Sequence, residues 1–286
     1  MPSARPGQFL HIAPDKRGVP AYVELASNED RPREKWTKDF ASPFLRRAFS
    51  IAGLRRNGDY AEADLIYRVV GAGTRWMYSL KPSEFVDALG PLGNVFPISE
   101  TKPIAWLVAG GVGLPPMLWL AEALTAAGKR SVAFCGSQTA DLLALTLDDK
   151  KPPGCDARTA THSAKEFTSA GVPVVISTDD GSLAFRGHIG AAMAAYHQAA
   201  ATAVQDIVVY TCGPERMMEF VAAYCMERSI ECYACMERSM ACGIGTCQSC
   251  VVPVHDAADP EGWTYRLCCT QGPVFDAKEI IWGRDP

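Results

Sequence analysis

The sequence predicts a β-barrel joined to an α/β domain. An N-terminal antiparallel barrel is expected over residues 1–100, a doubly wound parallel sheet over 101–228, and a small cysteine-rich segment over 229–286. Three observations carry this. Short apolar runs broken by Gly, Pro and Asn fill the first hundred residues, strand-like and helix-like stretches alternate after that, and eight of the eleven cysteines fall between positions 225 and 269. A chain of 286 residues is long enough for about two domains of ~100 to 200 residues each.

In chain order, QFLHIA, RAFSIAG, LIYRVVG and PLGNVF read as short strands between turn residues, the pattern of an antiparallel barrel or sandwich. From about residue 101, the apolar strands IAWLVAG, SVAFCGS, PVVISTD and DIVVYTCG alternate with the helical stretches LPPMLWLAEALTAAG, HIGAAMAAYHQAAATA and PERMMEFVAAYCMERS. Strands apolar on both sides belong in a parallel sheet covered by helices on both faces. VVPV, the polar turn HDAADPEG and WTYRLCC then predict a β-hairpin. Residues 104–124 carry Glu122 as their only charge and have the length of a membrane span. Gly110, Gly111, Gly113, Pro115 and Pro116 in the middle would break such a helix, so a buried strand, tight turn and helix is expected, and no membrane span.

Hydrophobic residues at 48% and charged residues at 21% are a globular balance. A net charge of -4 excludes the basic footprint of a nucleic-acid-binding domain. The first residues, MPSARPGQFLHIAPDKRG, hold no apolar core of signal-peptide length, so a cytoplasmic protein is expected. In that reducing compartment eleven cysteines read as ligands or free thiols rather than disulfides.

Two spacings compete for the C-terminal thiols. Cys232-x2-Cys235 with Cys247-x2-Cys250 has the look of a four-cysteine zinc ribbon. Cys242-x4-Cys247-x2-Cys250 with a later fourth cysteine has the spacing of a plant-type 2Fe-2S site. Only the second uses the glycines, because Gly243 and Gly245 permit positive φ and close approach of backbone N–H groups to sulfur. The fourth ligand is Cys268 or Cys269; neighbours in a strand point to opposite faces, so one of the two serves, and spacing does not choose.

The run MERSMACGIGTCQSC, followed by RLCCTQGPVFDAKEIIW, resembles the cluster segment of the dihydroorotate dehydrogenase electron-transfer subunits, a family of the ferredoxin-NAD(P) reductase superfamily. In that family the fourth ligand stands two residues before a Gly-Pro-Val-Phe run, so the resemblance implies Cys242, Cys247, Cys250 and Cys269 as the 2Fe-2S ligands. It leaves Cys232 and Cys235 as bystanders. Family members usually have one or two strands before a PGQF-type segment, which here begins at Pro6, so either a truncated start or an incomplete barrel is expected.

A cluster passes single electrons and a nicotinamide exchanges hydride, so a flavin is expected between them. RAFS offers Arg47 for a pyrophosphate, Phe49 beside the ring system and Ser50 at its polar edge, with Ala48 between. The same letters occur on ordinary barrel strands, where the arginine is a solvated charge. The resemblance adds Ile66, Tyr67 and Arg68 of IYR, and Gly73 and Thr74 of GAGT, as FAD-contacting positions, and a GPLGN loop after the barrel. VAGGVGLPPM follows a strand and opens a helix, so Gly110, Gly111 and Gly113 permit a tight turn facing a diphosphate. The competing reading is a packing turn between strand and helix. Cys212, Gly213 and Pro214 of YTCGP resemble the superfamily's motif beside the nicotinamide. No basic residue follows SVAFCGS until Lys150, which favours NAD(H) over NADP(H). His11, His162, His188, His197 and His255 show no ligand spacing and read as satisfied or exposed.

The resemblance thus implies electron transfer between NAD(H), FAD, a 2Fe-2S cluster and the FMN of a separate dihydroorotate dehydrogenase catalytic subunit, in a hetero-oligomer serving pyrimidine synthesis. Two alternatives stand beside it: the reductase subunit of an NADH-dependent ferredoxin oxidoreductase or sulfhydrogenase, and a zinc-stabilised binding module.

Overall fold

A computed structural model describes residues 4–14, 45–58 and 60–284. The N-terminal part comprises β1 (Phe9–Ala13), β2 (Arg47–Ser50), β3 (Gly53–Asn57), β4 (Tyr60–Asp64), helix α1 (Ala72–Ser79) and β5 (Asp87–Leu92). β1 lies between β2 and β5 and is antiparallel to both, while β3 and β4 form a separate ribbon. Among the described residues these sheets do not close into the expected barrel; residues 15–44, inside the span expected for it, lie outside them. Leu10, Ile12, Phe49, Ile51 and Trp76 form its core, and Trp119 enters it from the next domain.

Two strand expectations are corrected here. LIYRVVG is irregular up to the start of α1: Ile66 packs against the core of the following domain, Tyr67 against the N-terminal core, and Val70 is exposed, so no single sheet face collects them. The PLGNVF strand lies earlier, as β5, and ends where Gly93 takes φ +79°. The β3–β4 ribbon pairs Asn57 with Tyr60 and turns after Asn57, with Gly58 at φ +59°, a glycine turn signal in a charged stretch without apolar alternation.

The second part follows the βα alternation. It contains β6 (Ile104–Gly110), a 3-10 turn at Gly111–Gly113, α2 (Leu114–Ala126), β7 (Arg130–Ser137), α3 (Lys165–Thr168), β8 (Val174–Thr178), β9 (Phe185–Arg186), α4 (Ile189–Ala200), β10 (Ile207–Cys212), α5 (Glu215–Glu227) and β11 (Glu231–Cys235). The tail adds the hairpin β12 (Val251–His255) and β13 (Trp263–Leu267), then β14 (Val274–Asp276). The main sheet has the order β14-β11-β10-β6-β7-β8-β9, parallel throughout except for β14. It therefore includes β11 and β14, which lie beyond the expected boundary at 228. Both were hidden by their setting in the cysteine-rich tail.

Alternate side chains of each central strand serve two cores: Trp106 and Val108 face α4 and α5, whereas Ala105, Leu107 and Ala109 face α2. α2 is apolar nearly all round because it is covered twice, by the sheet and by the N-terminal core that takes Trp119. Pro115 and Pro116 open it, where their missing N–H groups cost nothing. No described helix is long and apolar enough to cross a membrane.

Candidate cofactor sites

Cys242, Cys247 and Cys250 lie on the loop leading into β12, and Cys269 follows β13. Gly243 at φ +73°, Gly245 at φ +85° and Gln248 at φ +58° curl this loop. Its backbone turns inward, so that Ile244 N–H and Cys247 N–H both donate to Cys242 Sγ at 3.4 Å. The Cys247 thiol contacts that of Cys242, and the Cys269 thiol contacts that of Cys250 and receives the Gly245 N–H. The thiols are thus grouped two and two; among the described residues no three His, Cys, Asp or Glu side chains converge as ligands of one ion. Two thiolates on each of two irons is the donor set of a 2Fe-2S cluster, and these residues fit it.

The environments of the thiols differ. Cys247 is exposed, and hydrogen bonds from the Ser249 hydroxyl and backbone pull its pKa down to about 6. Burial, and then the Cys250 thiol, push Cys269 up to about 11. Cys268 points the other way: its thiol donates to Met236 O at 3.3 Å, and burial holds it protonated. The zinc-ribbon arrangement fails on strand geometry. Cys232 and Cys235 project to opposite faces of β11, where their thiols contact Cys225 and Cys212 respectively, so the two sulfurs share no ion.

On β2, Arg47 and Ala48 are exposed and Ser50 is half-buried. The Arg47 side chain runs against Gly73 in the first turn of α1, where an added Cβ would come within 3.0 Å of its Cγ. Thr74 Oγ1 accepts the N–H groups of Val70 and Gly71 and fixes that turn. A guanidinium beside a helix N-terminus suits a pyrophosphate. Arg47, Gly73 and Thr74 are therefore brought together. Phe49 is buried in the N-terminal core and meets Tyr67 edge-on at 5.7 Å, Ile66 packs on the α2 side, and Arg68 is exposed.

The nicotinamide candidates meet at the carboxyl ends of β6 and β10, where the chain connections leave in opposite directions. A Cβ at Gly113 would collide with the Cys212 carbonyl, and one at Gly213, with φ +150°, would lie 2.8 Å from Gly110 O. The two turns are in glycine-only contact, and Pro214 then starts α5. Gly111 is open to solvent and borders a cleft with Ala109, Cys135, Gly136, Leu142 and Leu143. Beyond β7 the chain presents Asp141, whose carboxylate accepts the Thr139 hydroxyl, and no cation.

Two residues outside the expected set tie these sites together. Asn94, in GPLGN, accepts Val274 N–H at 2.9 Å, donates to Val274 O at 2.7 Å and to Gln271 O at 2.9 Å, and so copies a strand partner for the tail. Its motif was legible in the sequence; its partner, 180 residues away, was not. His11, on β1, is fully buried, and neither ring nitrogen has a hydrogen-bond partner, against the expectation of a satisfied or exposed histidine. Burial lowers its pKa. His188 caps α4 and His197 meets Tyr224, as expected of satisfied histidines.

Comparison with known proteins agrees with this geometry. Residues 237–281 match the family described as the iron-sulfur cluster binding domain of dihydroorotate dehydrogenase B. The chain is 32% identical to the dihydroorotate dehydrogenase B (NAD(+)) electron transfer subunit of Bacillus mycoides over 278 residues, covering 96% of this chain and 86% of that one. It is 31% identical to the Bacillus cereus counterpart over the same spans. Among solved structures it is similar to an NADH-dependent reduced ferredoxin-NADP oxidoreductase, with a TM-score of 0.68 at 22% identity over 98% of this chain and 80% of that chain. A ferredoxin reductase of carbazole 1,9a-dioxygenase aligns with a TM-score of 0.52 at 18% identity, over 80% of this chain and 58% of that one. With its fold, its paired thiols and its near full-length relatives in agreement, this chain belongs to the family of dihydroorotate dehydrogenase B electron transfer subunits.

Proposed function

We propose that the chain carries electrons between NAD(H) and the FMN of a dihydroorotate dehydrogenase catalytic subunit, through FAD and a 2Fe-2S cluster held by Cys242, Cys247, Cys250 and Cys269. The observation that carries this reading is the two-and-two grouping of thiols, three on a glycine-curled loop packed against the strand next to RAFS and one just after β13. When bound, the flavin supplies the exchange between a hydride, worth two electrons, and one-electron transfer to the cluster.

The chain's own residues bind and orient. Arg47 and the first turn of α1, with Gly73 and Thr74, take the flavin pyrophosphate; Ala48 and Ser50 line the face of β2 turned toward the tail, with Phe49, Ile66, Tyr67 and Arg68 around them. Gly110, Gly111 and Gly113 let the dinucleotide approach the turn after β6, and Cys212, Gly213 and Pro214 set the nicotinamide at the end of β10. Residues 1–100 act as the FAD-binding unit, built on the barrel plan of the superfamily, 101–228 as the nicotinamide unit and 229–286 as the cluster unit. Oxidation of dihydroorotate belongs to the partner, so the working form is a hetero-oligomer in pyrimidine synthesis. Eleven thiols without a disulfide among the described residues suit the cytoplasm.

Anaerobic purification, with assays of flavin, iron and sulfide, tests this. Expected are FAD and a 2Fe-2S cluster with visible absorption, and copurification with the catalytic subunit. A colourless protein carrying zinc alone would overturn the cofactor assignment; capture of a ferredoxin or hydrogenase subunit instead of the catalytic subunit would overturn the partner.

A further inference from the structure

Alternation along β1 sends Leu10 and Ile12 into the N-terminal core and turns Phe9 and His11 toward the C-terminal segment. Directly across from His11 on β2 stands Ala48, inside RAFS. On its other side the imidazole lies over Gly243: a Cβ there would come within 2.6 Å of His11 Nδ1 and 3.1 Å of Cε1. The ring therefore fills the space that the missing Gly243 side chain leaves, between the flavin strand and the loop carrying Cys242.

We propose that His11 is a positioning residue for electron transfer between flavin and cluster: its imidazole seats the Cys242-Gly243 peptide against the flavin strand. The inference rests on the ligand and flavin assignments proposed above. Two further observations support it. The ring lies beside the Cys242 backbone. The ring nitrogens are fully buried and make no hydrogen bond of standard geometry, an arrangement that is destabilising by itself and calls for a use. A side chain that holds the peptide immediately before the sulfur-directed Ile244 N–H sets the electrostatics at the cluster without ligating it.

The test uses anaerobically purified full-length protein. His11→Leu is expected to keep FAD, iron and sulfide at wild-type content. It should shift the EPR g-values and midpoint potential of the cluster and slow cluster reduction about 10- to 100-fold after NADH is mixed in, with flavin reduction unchanged. His11→Asn, which retains an N–H donor near the Nδ1 position, is expected to recover part of both. Wild-type EPR spectrum, potential and rate in His11→Leu would overturn the proposal, as would an Asn variant no better than Leu. If His11→Leu does not fold, Gly243→Ala is compared in the wild-type and His11→Ala backgrounds: the positive φ at Gly243 strains alanine in both, so the methyl should disturb the EPR spectrum more where the imidazole is present, and equal effects in both backgrounds overturn the idea. Wild-type protein lacking FAD or cluster would instead sink the functional reading, before any variant is made.

Discussion

Two adjacent thiols meet opposite fates at the end of β13. Cys268 donates to Met236 O and is enclosed by the sheet side of the tail, while Cys269 faces Cys250 and the Gly245 N–H. Cys269→Ser is therefore expected to lose most of its 2Fe-2S absorbance and iron content. Cys268→Ala should keep both, at the expense of a small cavity costing roughly 1 kcal/mol. Iron and sulfide analysis of the two variants checks this, and the reverse pattern would reassign the fourth ligand. In the sequence the alternation rule reduced the pair to one ligand without selecting it, and only the Gly-Pro-Val-Phe resemblance favoured Cys269. His11 was illegible for a related reason. Its environment is made by Gly243, more than two hundred positions away, and no local pattern marks that contact.

At the scale of elements, the GPLGN loop and the start of β14 behave as one unit. Asn94 forms three side-chain hydrogen bonds to the tail, its own N–H donates to Gly272 O at 2.6 Å, and Gln8 Nε2 holds Gly93 O at 3.0 Å. Asn94→Ala removes these side-chain bonds and leaves the Val274 N–H unsatisfied in a half-buried seam. A loss of about 1–3 kcal/mol is expected, read as a fall in Tm of the holoprotein of roughly 2 to 10 °C; an unchanged Tm would deny the seam a stabilising role. The long βα elements were legible because their periodicity runs over ten or more residues. The β3–β4 ribbon and β11 were not. One is too charged to show an apolar face, and the other is the sixth parallel strand of the main sheet, whose Cys, Tyr and Ala letters sit in a stretch dominated by metal-site spacing.

For the whole molecule, cofactor choice follows from charge at the open end of the main sheet. Asp141 follows β7, and Asp179 and Asp180 follow β8, with Asp180 held below its usual pKa by hydrogen bonds from Ser182. These three carboxylates outnumber Arg186 of β9 at that rim and repel a 2′-phosphate, so flavin reduction by NADH should exceed that by NADPH by at least about tenfold, or ~1.4 kcal/mol; comparable stopped-flow rates would refute the charge argument. The N-terminal strands β1 and β2 and the βα alternation after residue 101 could be read from the sequence because each carries its own rhythm. The way they close on one another could not, since α2 shares Trp119 with the N-terminal core and β14 returns from the tail to border β11. That closure also sets a timetable for biogenesis. Asn94 must wait for Val274, 180 residues downstream, so at ribosomal speeds of about 5–20 residues per second the N-terminal sheet stands without its partner for roughly 10 to 40 s. The nascent chain is thus open to chaperones throughout that interval, and the four thiols of the tail come together only after Cys269 has been made.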